Sequence, residues 1–313
     1  MENYTFNSLD LQLEGLVVSP TSTVPVYVSF LLFYLLILTA NLGILLLVAL
    51  DRNMHQPMYL LFCSLPVNDI LGNSIMVPRL LVDLLLPPPQ RIISYYECVI
   101  QAFTTHMYAT ASHSVLIIMA FDRYVAVCEP LRYAAIMTSR MVVKLTVSAW
   151  GVAFVLVGVL LGLTIRLNRC RTLISNPYCD NASLFKLSCE SVLINNIYGF
   201  IFTVLLFSSS VGSMVVTYGR IAAVCVVKKN QSMNSKALKT CSTHLFVYLV
   251  MLLSGTLIIT LHRYPQYSDA RKLCAILFHI IPGILNPIIY GAQSGEVRRF
   301  FRSKLMCGRK SST

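Results

Sequence analysis

Three polar side chains, Asn41, Asp69 and Asn286, stand inside long apolar runs of the sequence. Burying an unpaired polar group in an apolar medium costs free energy, so each of them needs a partner. We expect the three to face one another and to form a polar node that holds water or an ion. A purely structural hydrogen-bonding role for Asp69 is the open alternative. Pro287 follows Asn286 and removes a backbone donor, which predicts a break or hinge in that helix.

The charged tripeptide Asp122-Arg123-Tyr124 ends another apolar run. The adjacent carboxylate can neutralise Arg123 in one state of the protein and release it in another, as a switch requires. The open alternative is an ordinary arginine at the membrane interface that extends to water. Asp69 and Asp122 stand at very different depths and the histidines are scattered, so no catalytic pair is predicted. Without metal-ligand spacing or a phosphate-binding glycine loop, we expect neither an enzyme nor a cofactor or metal.

The elements that position these residues follow from composition. The chain has 313 residues, 56% hydrophobic and 12% charged, about half the charged share of a soluble protein. Seven apolar runs cover residues 24–50, 58–86, 97–127, 141–165, 193–220, 240–261 and 272–292. Each can cross a bilayer, which takes roughly 20 helical residues, and lipid offers backbone groups no partner outside a helix. The predicted fold is an all-α membrane protein, a seven-transmembrane helix bundle over residues 24–292.

The basic residues set the orientation of this bundle. Sixteen of the 25 Lys and Arg residues fall near the ends that face the C-terminal side, and eight fall on the opposite side. Positive charge is enriched in cytoplasmic loops, so we expect residues 1–23 outside the cell. Residues 293–313 are then a basic cytoplasmic tail with a short amphipathic helix. The basic residues lie in short loops beside apolar spans, which indicates a lipid bilayer as partner and no nucleic acid.

Four cysteines fall on the predicted outer side: Cys98, Cys170, Cys179 and Cys189. An even number of cysteines in an oxidising compartment predicts two disulfides, and four cysteines allow three pairings. The spacing does not choose among these pairings, and free thiols are the alternative. Asn3-Tyr4-Thr5 is a glycosylation acceptor on the same side, so Asn3 is a candidate glycan site.

Four motifs carry a resemblance to a known family. They are Pro57-Met58-Tyr59-Leu60 and the runs from Met119 to Cys128, from Lys236 to Leu245 and from Pro282 to Tyr290. Over nearly the whole chain they resemble vertebrate odorant receptors, which are rhodopsin-like G-protein-coupled receptors. Residues 188–199 and His262-Arg263-Tyr264 resemble the class I, fish-like branch. Ser112 and Met251-Leu252 depart from the pattern, and Ser112 replaces an acid that many members carry, which puts a sodium site at Asp69 in doubt.

The resemblance implies a multi-pass receptor of the plasma membrane. Such a receptor binds a small-molecule odorant and activates a heterotrimeric G protein of the stimulatory, olfactory type, which raises cyclic AMP. The resemblance also implies disulfides Cys98–Cys179 and Cys170–Cys189. Residues implied in G-protein coupling and switching are Asp122, Arg123, Tyr124, Tyr218, Asn286, Pro287 and Tyr290. A non-olfactory chemosensory receptor of the same fold is the open alternative, and a transporter, which would show inverted repeats or a charged path, is a third.

The ligand site is predicted in the outer half of the bundle, because residues 1–23 are too few for a ligand-capturing domain. His106 and Arg263 are the candidate polar contacts, and Arg263 occupies the position that can pair with an acidic odorant. The alternatives are that Arg263 faces solvent or pairs with Asp269 or Glu190, and that His106 is a packing residue. Further candidates for the cavity wall are Tyr108, Ser112, Ile201, Thr203, Ile259 and Tyr267.

Overall fold

The computed structural model describes residues 6–227, 231–261 and 264–293, with the backbone alone at 231–240, 265, 290, 292 and 293. Asn3, Arg263 and the tail from residue 294 lie outside the described residues. The helices are α1 (Pro20–Leu50), α2 (Pro57–Phe62), α3 (Ser64–Leu85), α4 (Tyr95–Cys128), α5 (Tyr133–Ile136), α6 (Ser139–Ile165), α7 (Asn181–Phe185), α8 (Leu193–Val227), α9 (Gln231–Leu261) and α10 (Ser268–Gln293). Seven helical segments are long and apolar enough to cross a membrane. They are called the first to seventh spans, α2 and α3 together forming the second and α4, α6, α8, α9 and α10 the third to seventh.

All seven predicted spans are helical, and their ends differ from prediction mainly on the cytoplasmic side. The fifth span continues to Val227 instead of ending at residue 220, and the sixth begins at Gln231 instead of residue 240. At 1.5 Å per residue the fifth span is about 50 Å long, well beyond the hydrocarbon core. The apolar run marks where lipid ends, whereas the helix goes on into water.

The third span lies at the centre of the bundle. It packs against α3, α6, α8 and α9. Its first turn is a capping box, in which Ser94 and Glu97 satisfy backbone N–H groups at the helix start. Because the third span contacts helices on several sides, side chains on its different faces point into different compartments of the protein.

A small sheet on the outer side was not predicted from the sequence. Strand β1 (Asp10–Leu13) lies between β2 (Ile92–Ser94), to which it is antiparallel, and β3 (Leu173–Ile174), to which it is parallel. The side chains of Leu11 and Leu13 point inward and are buried, as the alternation of a strand requires. The segment before the first span is therefore folded onto the outer loops.

The same segment is anchored to the seventh span by charge. Lys272 is fully buried, and its Nζ lies 2.7 Å from Glu14 Oε1. Gly15 follows with a φ of 72°, and a Cβ atom there would stand 2.7 Å from the Arg91 guanidinium, so glycine is required for this close approach. Arg91 itself donates to the Glu14 carbonyl at 2.6 Å. These contacts close the outer end of the bundle beside the seventh span.

Candidate ligand cavity and cytoplasmic switch

Two disulfides shape the second outer loop. Cys98 at the start of the third span is bonded to Cys179, and Cys170 is bonded to Cys189 within the loop. This is the pairing that the resemblance implied and that spacing alone left open. The first bond ties the loop to the central helix, and the second folds the loop on itself.

Hydrogen bonds hold this loop against the third span. The Cys179 backbone N–H donates to Gln101 Oε1 at 2.7 Å, and the Asn181 N–H donates to His106 Nε2 at 3.2 Å. Asp180 caps the short helix α7 by accepting from the Ser183 N–H at 2.6 Å. The loop is thus positioned by its own polar contacts as well as by the disulfide.

A cavity of about 440 Å³ lies beneath this loop. Its walls come from the third, fourth, fifth, sixth and seventh spans and from α7, and its lining is mostly apolar, with Phe185, Phe202, Phe207, Ile258 and Phe278 among the contributors. Ligand sites for small molecules are concave, mostly apolar spaces of about 300–1,000 Å³ with a few polar groups. The cavity has the size and lining of such a site, in the half of the bundle where the sequence predicted it.

The predicted ligand contacts divide between the cavity and its surroundings. His106, Thr203 and Ile259 line the cavity, whereas Ser112, Ile201 and Tyr267 do not. Tyr108 is also absent from the wall, because two residues turn a helix by about 200° and Tyr108 therefore faces away from His106. Its side chain is 1% exposed, and its ring stacks on His279 with centroids 4.7 Å apart.

The buried polar residues of the wall that were missed include His113 in the third span, Asn195 in the fifth and His279 in the seventh. Each is a polar residue inside an apolar run, so the criterion that identified Asn41 and Asp69 could have found them. Tyr178 of the outer loop also lines the cavity and donates to the Ala275 carbonyl at 3.5 Å. Burial, with the nearby Asp180, raises the pKa of Tyr178, so its hydroxyl remains a donor.

Below the cavity, the structure brings part of the predicted polar node together. Asn286 Nδ2 donates to Asp69 Oδ2 at 2.9 Å, whereas Asn41 Nδ2 donates to the Gly283 carbonyl at 2.9 Å. Asn73, which was not predicted, donates to the carbonyls of Asp69 and His279. The Asn41 side chain therefore reaches the backbone of the seventh span, while the direct side-chain contact is between Asp69 and Asn286.

One buried oxygen on each of these four side chains has no hydrogen-bond partner. Oxygens of this kind are normally satisfied by ordered water or by a hard cation. Within residues 6–227, 231–261 and 264–293, no cluster of three or more His, Cys, Asp or Glu residues could hold a metal ion. The node supplies amide oxygens and a single carboxylate.

The last helix runs through Pro282 and Pro287 without an interruption, so the helix is not broken at Asn286-Pro287, and the hinge predicted there stays a prediction. A proline removes one backbone hydrogen bond, but neighbouring helices hold the segment in place. Asn286 is itself fully buried against Asp69. The side chain of Tyr290 lies outside the described residues.

At the cytoplasmic end, Arg123 forms an ion pair with the buried Asp122. Tyr133, in α5 of the following loop, donates to the other carboxylate oxygen of Asp122 at 2.8 Å. Burial, with the adjacent Asp122 carboxylate, raises the pKa of Tyr133 well above its usual value, so this hydroxyl stays protonated. Tyr124 packs, half-buried, against the core on the same side. Arg123 is held by its neighbour and does not simply extend to water.

Tyr218 of the fifth span meets the sixth span at the same level. Its hydroxyl lies 2.5 Å from His244 Nδ1. A second bond, 3.0 Å between Ser210 Oγ and Tyr248 Oη, joins the same two spans higher up. These contacts hold the cytoplasmic half of the sixth span beside the fifth in this arrangement.

Replacing Tyr133 by phenylalanine is expected to raise basal signalling. The change removes one hydrogen bond to Asp122 and so weakens the restraint on Arg123, which shifts the equilibrium toward the active arrangement. We expect the basal output per molecule at the cell surface, measured as G-protein activation, to rise by about twofold to tenfold. Tyr264→Phe, at an exposed tyrosine on the outer side, is the control. Basal signalling equal to that of the control would show that Tyr133 does not restrain the switch.

A seven-span bundle with a small-molecule cavity on its outer side and a restrained arginine at its cytoplasmic end is the architecture of a G-protein-coupled receptor. Comparison with known proteins gives the family. The olfactory receptor family matches residues 30–308. Human olfactory receptor 5AC2 is 33% identical over 93% of this chain and 94% of its own length.

Two further relatives show similar values. Human olfactory receptor 52D1 is 30% identical over 91% of this chain and 90% of its own length. The Gallus gallus olfactory receptor-like protein COR4 is 31% identical over 93% of each. The chain belongs to the olfactory receptor family. It is a multi-pass plasma-membrane receptor for small-molecule odorants that couples to a G protein, and not an enzyme. Membership of the class I branch stays a prediction.

Proposed function

We propose that this receptor binds its odorant in the cavity beneath the second outer loop. We further propose that it activates a stimulatory, olfactory-type G protein and thereby raises cyclic AMP. The observation that carries the proposal is the cavity itself, a mostly apolar space of about 440 Å³ lined by five spans and a bridged loop. Residues of its wall continue into the polar node below.

His279 connects the cavity to the node. Its side chain lines the cavity, while its backbone carbonyl accepts from Asn73 Nδ2 at 3.2 Å and from the Tyr108 hydroxyl at 3.4 Å. Asn73 also donates to the Asp69 carbonyl, and Asp69 accepts from Asn286. A ligand that touches His279 therefore lies two hydrogen bonds from Asp69. Such a ligand shifts the receptor only if it binds the active arrangement more tightly than the resting one.

The proposed output is a movement of the cytoplasmic end of the sixth span, residues 236–244. In the present arrangement Tyr218 contacts His244, and Asp122 holds Arg123. Opening of the sixth span would separate Tyr218 from His244 and free Arg123 for the G protein.

The predicted acidic odorant depends on Arg263, which lies outside the described residues, and it stays a prediction. A transcript survey of olfactory epithelium against other tissues would show where this odorant receptor is expressed. The cavity and its coupling are the same in every tissue.

A pair of glycine variants in the fifth span tests the cavity. Gly199 lines it, whereas Gly212 is exposed on the same helix, and a Cβ atom at either position meets nothing within 4 Å. We expect Gly199→Phe to raise the half-maximal agonist concentration at least about tenfold, because the new ring occupies ligand space. Gly212→Phe adds the same ring on the outside and should leave the dose–response curve unchanged. Identical curves for both variants, at equal surface level, would place the ligand elsewhere.

A further inference from the structure

We infer that the ligand of this cavity engages it by donating hydrogen bonds, as an alcohol or an amine does. The inference rests on the proposed function, because it concerns the ligand of the same cavity. It follows from which polar atoms of the wall are already used and which remain without partners. The described wall has hydrogen-bond acceptors without a partner, whereas its hydroxyl groups already donate to backbone carbonyls.

His279 is the first acceptor. Its Nδ1 lies 3.1 Å from the Ala275 carbonyl oxygen. A carbonyl can only accept, so Nδ1 carries the proton and Nε2 of the neutral ring carries a lone pair. The ring is enclosed by Tyr108, Tyr178 and Phe278, surroundings in which a cationic imidazole would be costly. Its Nε2 is buried and has no partner.

Asn195 is the second acceptor. Its amide Nδ2 donates to Thr164 Oγ1 at 3.0 Å, and Thr164 Oγ1 lies 2.6 Å from Asn181 Oδ1. The Thr164 hydroxyl therefore donates to Asn181 and accepts from Asn195. The Asn195 side-chain oxygen is left buried without a partner. A buried acceptor of this kind can be satisfied by an ordered water or by a donor that a ligand brings into the cavity.

The lining hydroxyls offer no matching donors. Thr105 donates to the Ala102 carbonyl at 3.0 Å, and Thr203 donates to the Gly199 carbonyl at 2.8 Å. His113 differs from these residues. Its Nδ1 has no partner and no neighbour fixes its tautomer, so its ring can either donate a hydrogen bond to a ligand or accept one. An ether or carboxylate oxygen would therefore find these two hydroxyls already engaged, and its remaining donors would be the N–H groups of the wall's asparagines and histidines.

The formal charge of the wall also favours a ligand that donates hydrogen bonds. Among the described residues of the wall, Asp180 is the one that carries a formal charge, and that charge is negative. A carboxylate ligand would enter a mostly apolar space beside an anion and two unused acceptors, at a cost in desolvation and repulsion. A neutral alcohol avoids this cost, and a protonated amine is attracted to Asp180.

Matched compounds on two apolar skeletons test the inference. Octanol, octylamine, octanoic acid and methyl octyl ether form one set; phenylethanol, phenethylamine, phenylacetic acid and phenethyl methyl ether form the other. Each is applied to cells expressing the whole receptor, and cyclic AMP is measured at a surface level confirmed by flow cytometry. On at least one skeleton, we expect the alcohol or amine to act at least about tenfold more potently than the ether and the acid.

Variants of His279 and Asn195 test whether these two acceptors cause the difference in potency between alcohols and ethers. His279→Leu removes the acceptor, and we expect it to reduce the alcohol-to-ether potency ratio at least about threefold, whereas His279→Gln retains an acceptor and part of the ratio. If His279→Leu does not reach the surface, Asn195→Leu is measured in the same way. Ratios that stay at the wild-type value in every variant reaching the surface would overturn the inference.

The same panel separates this inference from the proposed site. A wild-type receptor that responds best to the acids or ethers, or to none of the donors, overturns the inference. If Gly199→Phe blocks an acid response, the cavity remains the ligand site while the ligand class is wrong. Loss of the acid response in Arg263→Ala would then assign the carboxylate to Arg263. If Gly199→Phe alters no response, the proposed site itself fails.

Discussion

Arg123→Ala is expected to remove most agonist-stimulated cyclic AMP while the receptor stays at the cell surface. In the present arrangement the guanidinium pairs with Asp122, which Tyr133 also holds. When the sixth span opens, the released guanidinium can donate to the G protein, and alanine offers no substitute for its donors. A hydrogen bond to a charged group contributes about 1.5–3 kcal/mol, so coupling should weaken about tenfold or more.

Arg132→Ala is the matched control for this result. Arg132 lies in the same cytoplasmic region, but its side chain is 73% exposed and pairs with Glu129 on the surface. Exposed pairs of this kind contribute little to stability, so the variant should signal like the wild type. Normal signalling by Arg123→Ala, at a surface level matched to Arg132→Ala, would contradict the switch assigned to Arg123.

Cys98→Ser is expected to reduce the receptor at the cell surface severely, by about tenfold or more. Cys98 and Cys179 are both fully buried, and their bond joins positions 81 residues apart. Without it, no covalent bond ties the loop to the third span, and hydrogen bonds to Gln101 and His106 and the packing of Leu184 and Leu187 remain. The cavity would then lose the restraint on its outer wall, and the remaining surface receptor should respond weakly.

Two other cysteine variants calibrate this prediction. The Cys170–Cys189 bond closes a separation of 19 residues within one loop, so Cys170→Ser should have a smaller effect, because restriction of the chain grows with loop length. Cys63 is a free cysteine in the second span, and Cys63→Ser controls for the loss of a thiol. Surface staining of Cys98→Ser at the level of Cys63→Ser would show that the buried disulfide is not needed for folding.

Local pattern in the sequence was sufficient for the spans and their orientation. In lipid, a long apolar run satisfies its own backbone hydrogen bonds only as a helix. Seven such runs therefore predicted seven spans. The pairing of Cys98 with Cys179 came from the resemblance, because four cysteines allow three pairings. The small outer sheet escaped prediction because β1 pairs with strands far along the chain, at residues 92–94 and 173–174.

The cavity wall depends on information that no single helix contains. His106 lines the cavity and Tyr108 does not, although they are two residues apart on one helix. Which face of the third span meets the cavity is set by how the other helices pack around it. Polarity within an apolar run could have singled out Asn73 and His279, but not their partners, which lie in other spans. Polarity within an apolar run shows that a residue has a partner, but not which partner.

Cyclic AMP in cells that express this chain with olfactory chaperones and a stimulatory olfactory G protein is the most direct test of the central claim. Small alcohols, amines, acids and ethers are applied to wild type, Gly199→Phe and an empty-vector control, with surface receptor measured in parallel. We predict a saturable rise to at least one chemical class in the wild type, a curve shifted at least about tenfold in Gly199→Phe, and no response in the control. No saturable rise to any compound, with wild-type receptor present at the surface, would contradict the proposed ligand site and its coupling.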